Sequence, residues 1–75
     1  MDELIEVARS RLLDEARAAM REIVPELTGA ARWAPTLATS LKKRRPDLWA
    51  RAQELYRGDP YQTFKPLAES VLKDL

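Results

Sequence analysis

The side chains that ordinarily carry out chemistry are scarce in this chain. It contains no histidine and no cysteine. That removes the usual general base, the commonest metal ligand, any thiolate nucleophile and any disulfide. Hydroxyls at Ser10, Ser40, Ser70, Tyr56 and Tyr61 stand without a recognisable activating partner, and a hydroxyl nucleophile needs one. The carboxylates fall at helix starts and on solvated helix faces, where they already have structural work. No nucleotide, metal or catalytic motif is present, so the chain is expected to be a non-enzyme with no cofactor and no metal site.

Two stretches could instead carry recognition. Lys42-Lys43-Arg44-Arg45 is a basic run; it reads either as a basic patch or as cationic complement to a helix carboxyl end. The second reading suits a nearly neutral chain better. The other stretch is 27–41, in which Arg32 is the sole charged residue of fifteen, although one third of the whole chain is charged. With its apolar positions turned inward, its outer side carries Thr28, Gly29, Arg32, Thr36, Thr39, Ser40 and Lys43, with Trp33 on the shoulder. Depletion of charge around tryptophan and arginine marks the core of a protein interface. The same composition also suits a middle segment wrapped by its neighbours, with Trp33 as a core residue. Composition leaves both kinds of burial open.

The length of 75 residues gives room for one domain and one modest core. The balance of 13 basic and 12 acidic residues disfavours a nucleic-acid or membrane-surface partner. No apolar run approaches a bilayer span, and the start is acidic rather than signal-like. The chain is therefore expected to be soluble and to stay where it is made, as a monomer or small oligomer.

The elements that must position these residues are helices. Ile5, Ala8, Leu12, Ala16, Ala19, Met20 and Ile23 recur at three- and four-residue steps, widened by Leu13 and Val24, and predict a first helix near 2–24. Glu3, Ser10, Arg11, Asp14, Arg17 and Arg21 form its opposite, solvated face, with Arg11–Asp14 and Asp14–Arg17 as expected pairs. Leu27, Ala30, Ala31, Ala34, Leu37, Ala38 and Leu41 keep one phase through Pro35. They predict one kinked helix near 26–44, or two collinear ones with Pro35 opening the second. Gly29 should weaken its first half by about 1 kcal/mol. A third helix near 47–57 follows Pro46 and ends at Gly58 as a left-handed stop. A fourth, near 63–74, is capped by Thr63 and carries Phe64, Leu67, Ala68, Val71, Leu72 and Leu75. The expected core is Ile5, Leu12, Ala16, Met20, Ile23, Leu27, Leu37, Leu41, Leu48, Leu55, Phe64, Leu67, Val71 and Leu72, with Trp49 beside it. The fold class is all-α: a single-domain bundle of about four helices joined by short Pro/Gly turns, neighbours packing roughly antiparallel.

The chain resembles a computationally designed small helical bundle in style, rather than any natural family. The features run its whole length: Met1-Asp2-Glu3 opening into a helix, very short connections, Arg45-Pro46-Asp47-Leu48 starting one helix, and Arg57-Gly58-Asp59-Pro60 stopping it and preparing the next. Cysteine, histidine and asparagine are absent. Such devices belong to idealised sequences. One class of them, the designed binder, presents a rigid helix face to its target; the resemblance implies that role for Arg32, Trp33 and Thr36.

The functional expectation is thus a non-enzymatic protein-interaction module. It binds another protein through Thr28, Arg32, Trp33, Thr36, Thr39, Ser40 and Lys43. The alternatives are a small helix-turn-helix DNA-binding regulator, since 37–56 reads as helix, proline turn, helix, and a purely structural helical design with no ligand. Against the DNA reading, the second helix would present the mixed face Asp47, Arg51, Gln53, Glu54 and Arg57.

Overall fold

A computed structural model describes residues 2–74. Four α-helices account for most of them: α1 (Asp2–Ile23), α2 (Ala34–Arg44), α3 (Pro46–Tyr56) and α4 (Pro60–Lys73). There is no strand among the described residues. The all-α bundle read from the periodicities is the fold. Leu75, the last member of the α4 stripe, lies outside the described residues.

The expected 26–44 helix is not formed. Between α1 and α2 the chain makes two short 3-10 turns, Val24–Glu26 and Gly29–Ala31, separated by extended backbone at Leu27 and Thr28. Two residues force the break. Gly29 sits at φ +57°, in the left-handed region that a continuing α-helix excludes. Pro35 has no N–H to give to the carbonyl of Ala31, and its ring would clash with that carbonyl in a helix. The N–H of Trp33 takes this acceptor instead at 2.9 Å, closing an inverse γ-turn on Arg32 (φ −78°, ψ 72°). The helix restarts with Trp33 as the extended N-cap and Pro35 in the first turn. Of the two forms expected, the proline opens the helix, but the segment before it is not collinear helix. Ala30 is accordingly exposed rather than in the core.

The last helix begins three residues earlier than Thr63. Asp59 is its N-cap, its carboxylate accepting the N–H of Tyr61 at 3.0 Å, and Pro60 occupies the first turn. The Asp59-Pro60 pair is a helix start, not merely a turn. This places Pro66 inside the helix. The stop after α3 also differs: the left-handed residue is Arg57 (φ 51°), not Gly58.

Leu12, Met20, Leu37, Leu41, Leu48 and Phe64 are fully buried at the centre, joined by Ala16, Ile23, Leu67 and Val71. Leu27, Leu55, Leu72 and Trp49 are half-buried against that core, Trp49 tilted on Phe64 at 5.5 Å between ring centroids. Ala34 and Ala38 of α2 and Ala68 of α4 are buried too. Small residues let these two helices approach closely, and they form the most extensive helix pair. Two pairs of alternate helices run antiparallel. In α1 and α3, the Arg9 guanidinium donates to the Leu55 carbonyl at 2.7 Å, and Arg51 pairs with Glu15 at 2.7 Å. In α2 and α4, Trp33 and Pro35 lie beside Leu72 and Lys73, whereas Lys42 lies near Pro60.

Ile5 is the one expected core residue that is exposed, at 44 %. Arg9 already meets the last turn of α3, so Ile5, one turn earlier in α1, lies beyond the end of α3 and is left in solvent.

Candidate functional site

Trp33 stands 63 % exposed at the head of α2, so it is a surface side chain and not a core residue. The inverse γ-turn at Arg32 and the extended N-cap backbone set its position. The Arg32 guanidinium folds back and donates through Nε to the Leu27 carbonyl at 2.9 Å, tying the connection to itself. A bulky exposed indole is thereby held on a braced turn, flanked by a helix whose N-terminal proline stiffens it.

Below the indole, between the start of α2 and the end of α4, lies an open groove of about 520 Å³. Leu72 lines it with Pro35, and Lys65, Glu69 and Lys73 of α4 line its other side. These three recur at four-residue steps and so share one helix face. The sequence reading missed them. The signal available was their spacing alongside Leu72, but nothing in the sequence said that this face of α4 would meet Trp33.

The remaining expected residues divide. Thr36, Thr39, Ser40 and Lys43 line, with Pro35, a shallower groove of about 290 Å³ on the outer side of α2. Thr36 and Ser40 are half-buried in it, while Thr39 and Lys43 are exposed. The Thr39 hydroxyl donates to the Pro35 carbonyl at 2.9 Å, which engages it with its own helix. Thr28 is exposed in the extended link before Gly29. Pro35 belongs to both grooves, so Arg32 and Trp33 at the start of α2 and Thr36, Thr39, Ser40 and Lys43 along it form one continuous surface. Thr28 precedes it in the connection rather than lying on a common helix face.

The basic run has structural partners. Lys42 lies over the Trp49 ring at 5.4 Å, Arg44 donates to Glu26, and Arg45 donates twice to Asp47. Arg44 holds the Glu26 carboxyl below its ordinary range, chiefly by that hydrogen bond, and Arg45 does the same to Asp47. Three of the four cations therefore brace the end of α2, and Lys43 alone lines the outer groove.

The hydroxyls considered for catalysis are scattered. Ser10 and Ser70 are exposed on α1 and α4, Ser40 is in the outer groove, and Tyr56 carries the Arg9 guanidinium 4.7 Å from its ring centre. No group of three or more carboxylates able to hold a metal ion occurs among the described residues. No helix among them is long and apolar enough to cross a membrane. Comparison of the chain with family models, with curated proteins and with solved structures finds no match, so the site rests on its own geometry.

Proposed function

We propose that the chain is a non-enzymatic protein-interaction module that binds its partner through the surface around Trp33. The observation that carries this is the 63 % exposed tryptophan on a braced turn at the mouth of an apolar-floored groove. A large apolar side chain kept in water by a rigid backbone gains on binding and loses little entropy doing so. Trp33 is then the anchor, Leu72 and Pro35 the floor it shares with the partner, and Arg32, Thr36, Ser40 and Lys43 the polar surround. A designed binder would use such a surface in the same way.

The geometry of α2 and α3 gives less support to DNA reading. Arg45 and Arg51 are engaged by Asp47 and Glu15, which leaves α3 with no run of cations for phosphates.

The test is selection of peptides from a displayed library against the wild-type chain, followed by affinity measurements on variants. Trp33→Ala should cost about 2 kcal/mol or more, roughly thirtyfold in Kd. Thr36→Arg should also weaken binding, whereas Arg21→Ala, at an exposed position that lines neither groove, should not. Selected peptides indifferent to Trp33 would overturn the reading. So would tight duplex DNA binding that falls steeply with salt.

A further inference from the structure

Charge is spread unevenly over this bundle, and the Trp33 surface holds the positive excess. Arg32, Lys65 and Lys73 line the groove below the indole with Glu69, and Lys43 lines the shallower groove that Pro35 joins to it. Of the chain's 13 basic and 12 acidic residues, four and one fall on this surface, which leaves nine basic against eleven acidic elsewhere. Away from it, Arg44, Arg45 and Arg51 are neutralised by Glu26, Asp47 and Glu15. Arg32, Lys43, Lys65 and Lys73 are all exposed and form no ion pair with another described residue. Arg32 gives Nε to the Leu27 carbonyl, which fixes the guanidinium and leaves its two terminal nitrogens for a carboxylate. Cations without partners around an apolar floor select an anion that also brings apolar surface. Resting on the reading of the Trp33 surface as a protein-binding site, we propose that its partner is an acidic peptide segment. One bulky apolar side chain of that segment packs on Trp33, Pro35 and Leu72, and flanking carboxylates meet Arg32, Lys65 and Lys73.

Two other anions suit the surface less well. On α4, Lys65, Glu69 and Lys73 follow one another about 6 Å apart in helical rise, so Glu69 stands between two cations on one face. Evenly spaced phosphates of a nucleic-acid strand would meet that carboxylate, whereas a peptide can set its own on either side of it. An anionic bilayer is flat, and Leu72 is half-buried within the groove, out of its reach. From Lys65 to Lys73 the rise is about 12 Å. About two helical turns of a bound segment cover that length, so a short motif suffices.

Peptides selected on the wild-type chain from a displayed library of random sequence, then labelled and titrated by fluorescence anisotropy, test this. The expected binders carry Asp and Glu beside a large apolar residue. Their affinity should fall at least about tenfold between about 50 mM and about 500 mM salt. Lys65→Glu and Lys73→Glu, both at exposed positions, should each weaken them at least about tenfold. Glu69→Lys should tighten them, a gain that misfolding would not produce. Arg21→Glu makes the same change of net charge at an exposed position outside both grooves, and should alter affinity by less than about threefold. Binders that need Trp33 but are neutral or basic, or that ignore Lys65 and Lys73, would overturn the acidic partner and leave the Trp33 reading standing. Binders indifferent to Trp33 would overturn both. Oligothymidylate and phosphatidylserine vesicles supply the competing anions. Tighter binding of either than of the selected peptides at the same salt would overturn a peptide as the occupant.

Discussion

At the scale of single residues, exposure and backbone conformation separate side chains that are alike in sequence. Trp33 and Trp49 are both helix-associated tryptophans, yet Trp49 rests on Phe64 and Trp33 stands in solvent. Trp33→Ala should therefore leave stability within about 0.5 kcal/mol of wild type in a thermal melt. A core tryptophan would cost about 3–5 kcal/mol. Arg57 holds a left-handed conformation (φ 51°, ψ 47°) next to a glycine that does not. Left-handed backbone costs a residue with a β-carbon about 1–2 kcal/mol, so Arg57→Gly should raise the melting temperature by several degrees, about 4–8 °C per kcal/mol gained. Glu26 and Asp47 have folded pKa values below their ordinary ones because Arg44 and Arg45 donate to them. A depressed carboxylate adds stability above its unfolded pKa and loses it as pH falls through the folded value. Both pairs are exposed, so the effect is small. Melting temperature should decline as pH drops below about 4, and Glu26→Gln should make that decline shallower.

At the scale of elements, proline placement decides more than apolar phase. Pro25, Pro35, Pro46 and Pro60 all sit in the first turns of helical segments, where a missing N–H costs nothing. Pro66 is the exception. It lies within α4, where it denies the Gln62 carbonyl its partner and crowds it. Its side chain is exposed, so Pro66→Ala removes no packing. The substitution should stabilise the chain by about 2 kcal/mol, an interior proline costing about 3 kcal/mol less what it saves in the unfolded chain. Chemical denaturation of the two chains measures this, and a midpoint unchanged or lowered in the variant would show that α4 has adapted to its proline. The unbroken apolar phase from Leu27 to Leu41 was a poor guide by comparison, because a stripe states which positions could share a face and not whether the backbone permits one.

At the scale of the whole molecule, four helices share one centre and the margin is narrow. Phe64 is fully buried and touches the side of Trp49. Phe64→Ala should cost about 3–5 kcal/mol, which in a domain of this size leaves a large fraction unfolded at room temperature. Circular dichroism would show it as lost helical signal. The long axis of 43 Å against 20 and 16 Å across describes an elongated bundle, and part of that length is the exposed start of α1. The Trp33 groove and the exposed start of α1 thus lie apart. One sits where α2 begins against α4, the other where α1 outruns α3.

The amino-acid order by itself determined that the fold is helical, where most helices lie, and most of the core. Those properties depend on local periodicity and turn chemistry, which neighbouring residues set. It also marked Arg32, Trp33, Thr36 and Ser40 as unlike an ordinary solvated face, through missing charge. Only the tertiary structure decided that this face is open rather than wrapped. Burial of Trp33 depended on whether another helix crosses it, and the pairing of α2 with α4 through Ala34, Ala38 and Ala68 leaves the indole beyond the contact. The same holds for Ile5, whose apolar register is faultless but whose neighbour, α3, ends too soon. Periodicity tells a residue which way to face; the length and direction of the next helix decide what it finds there.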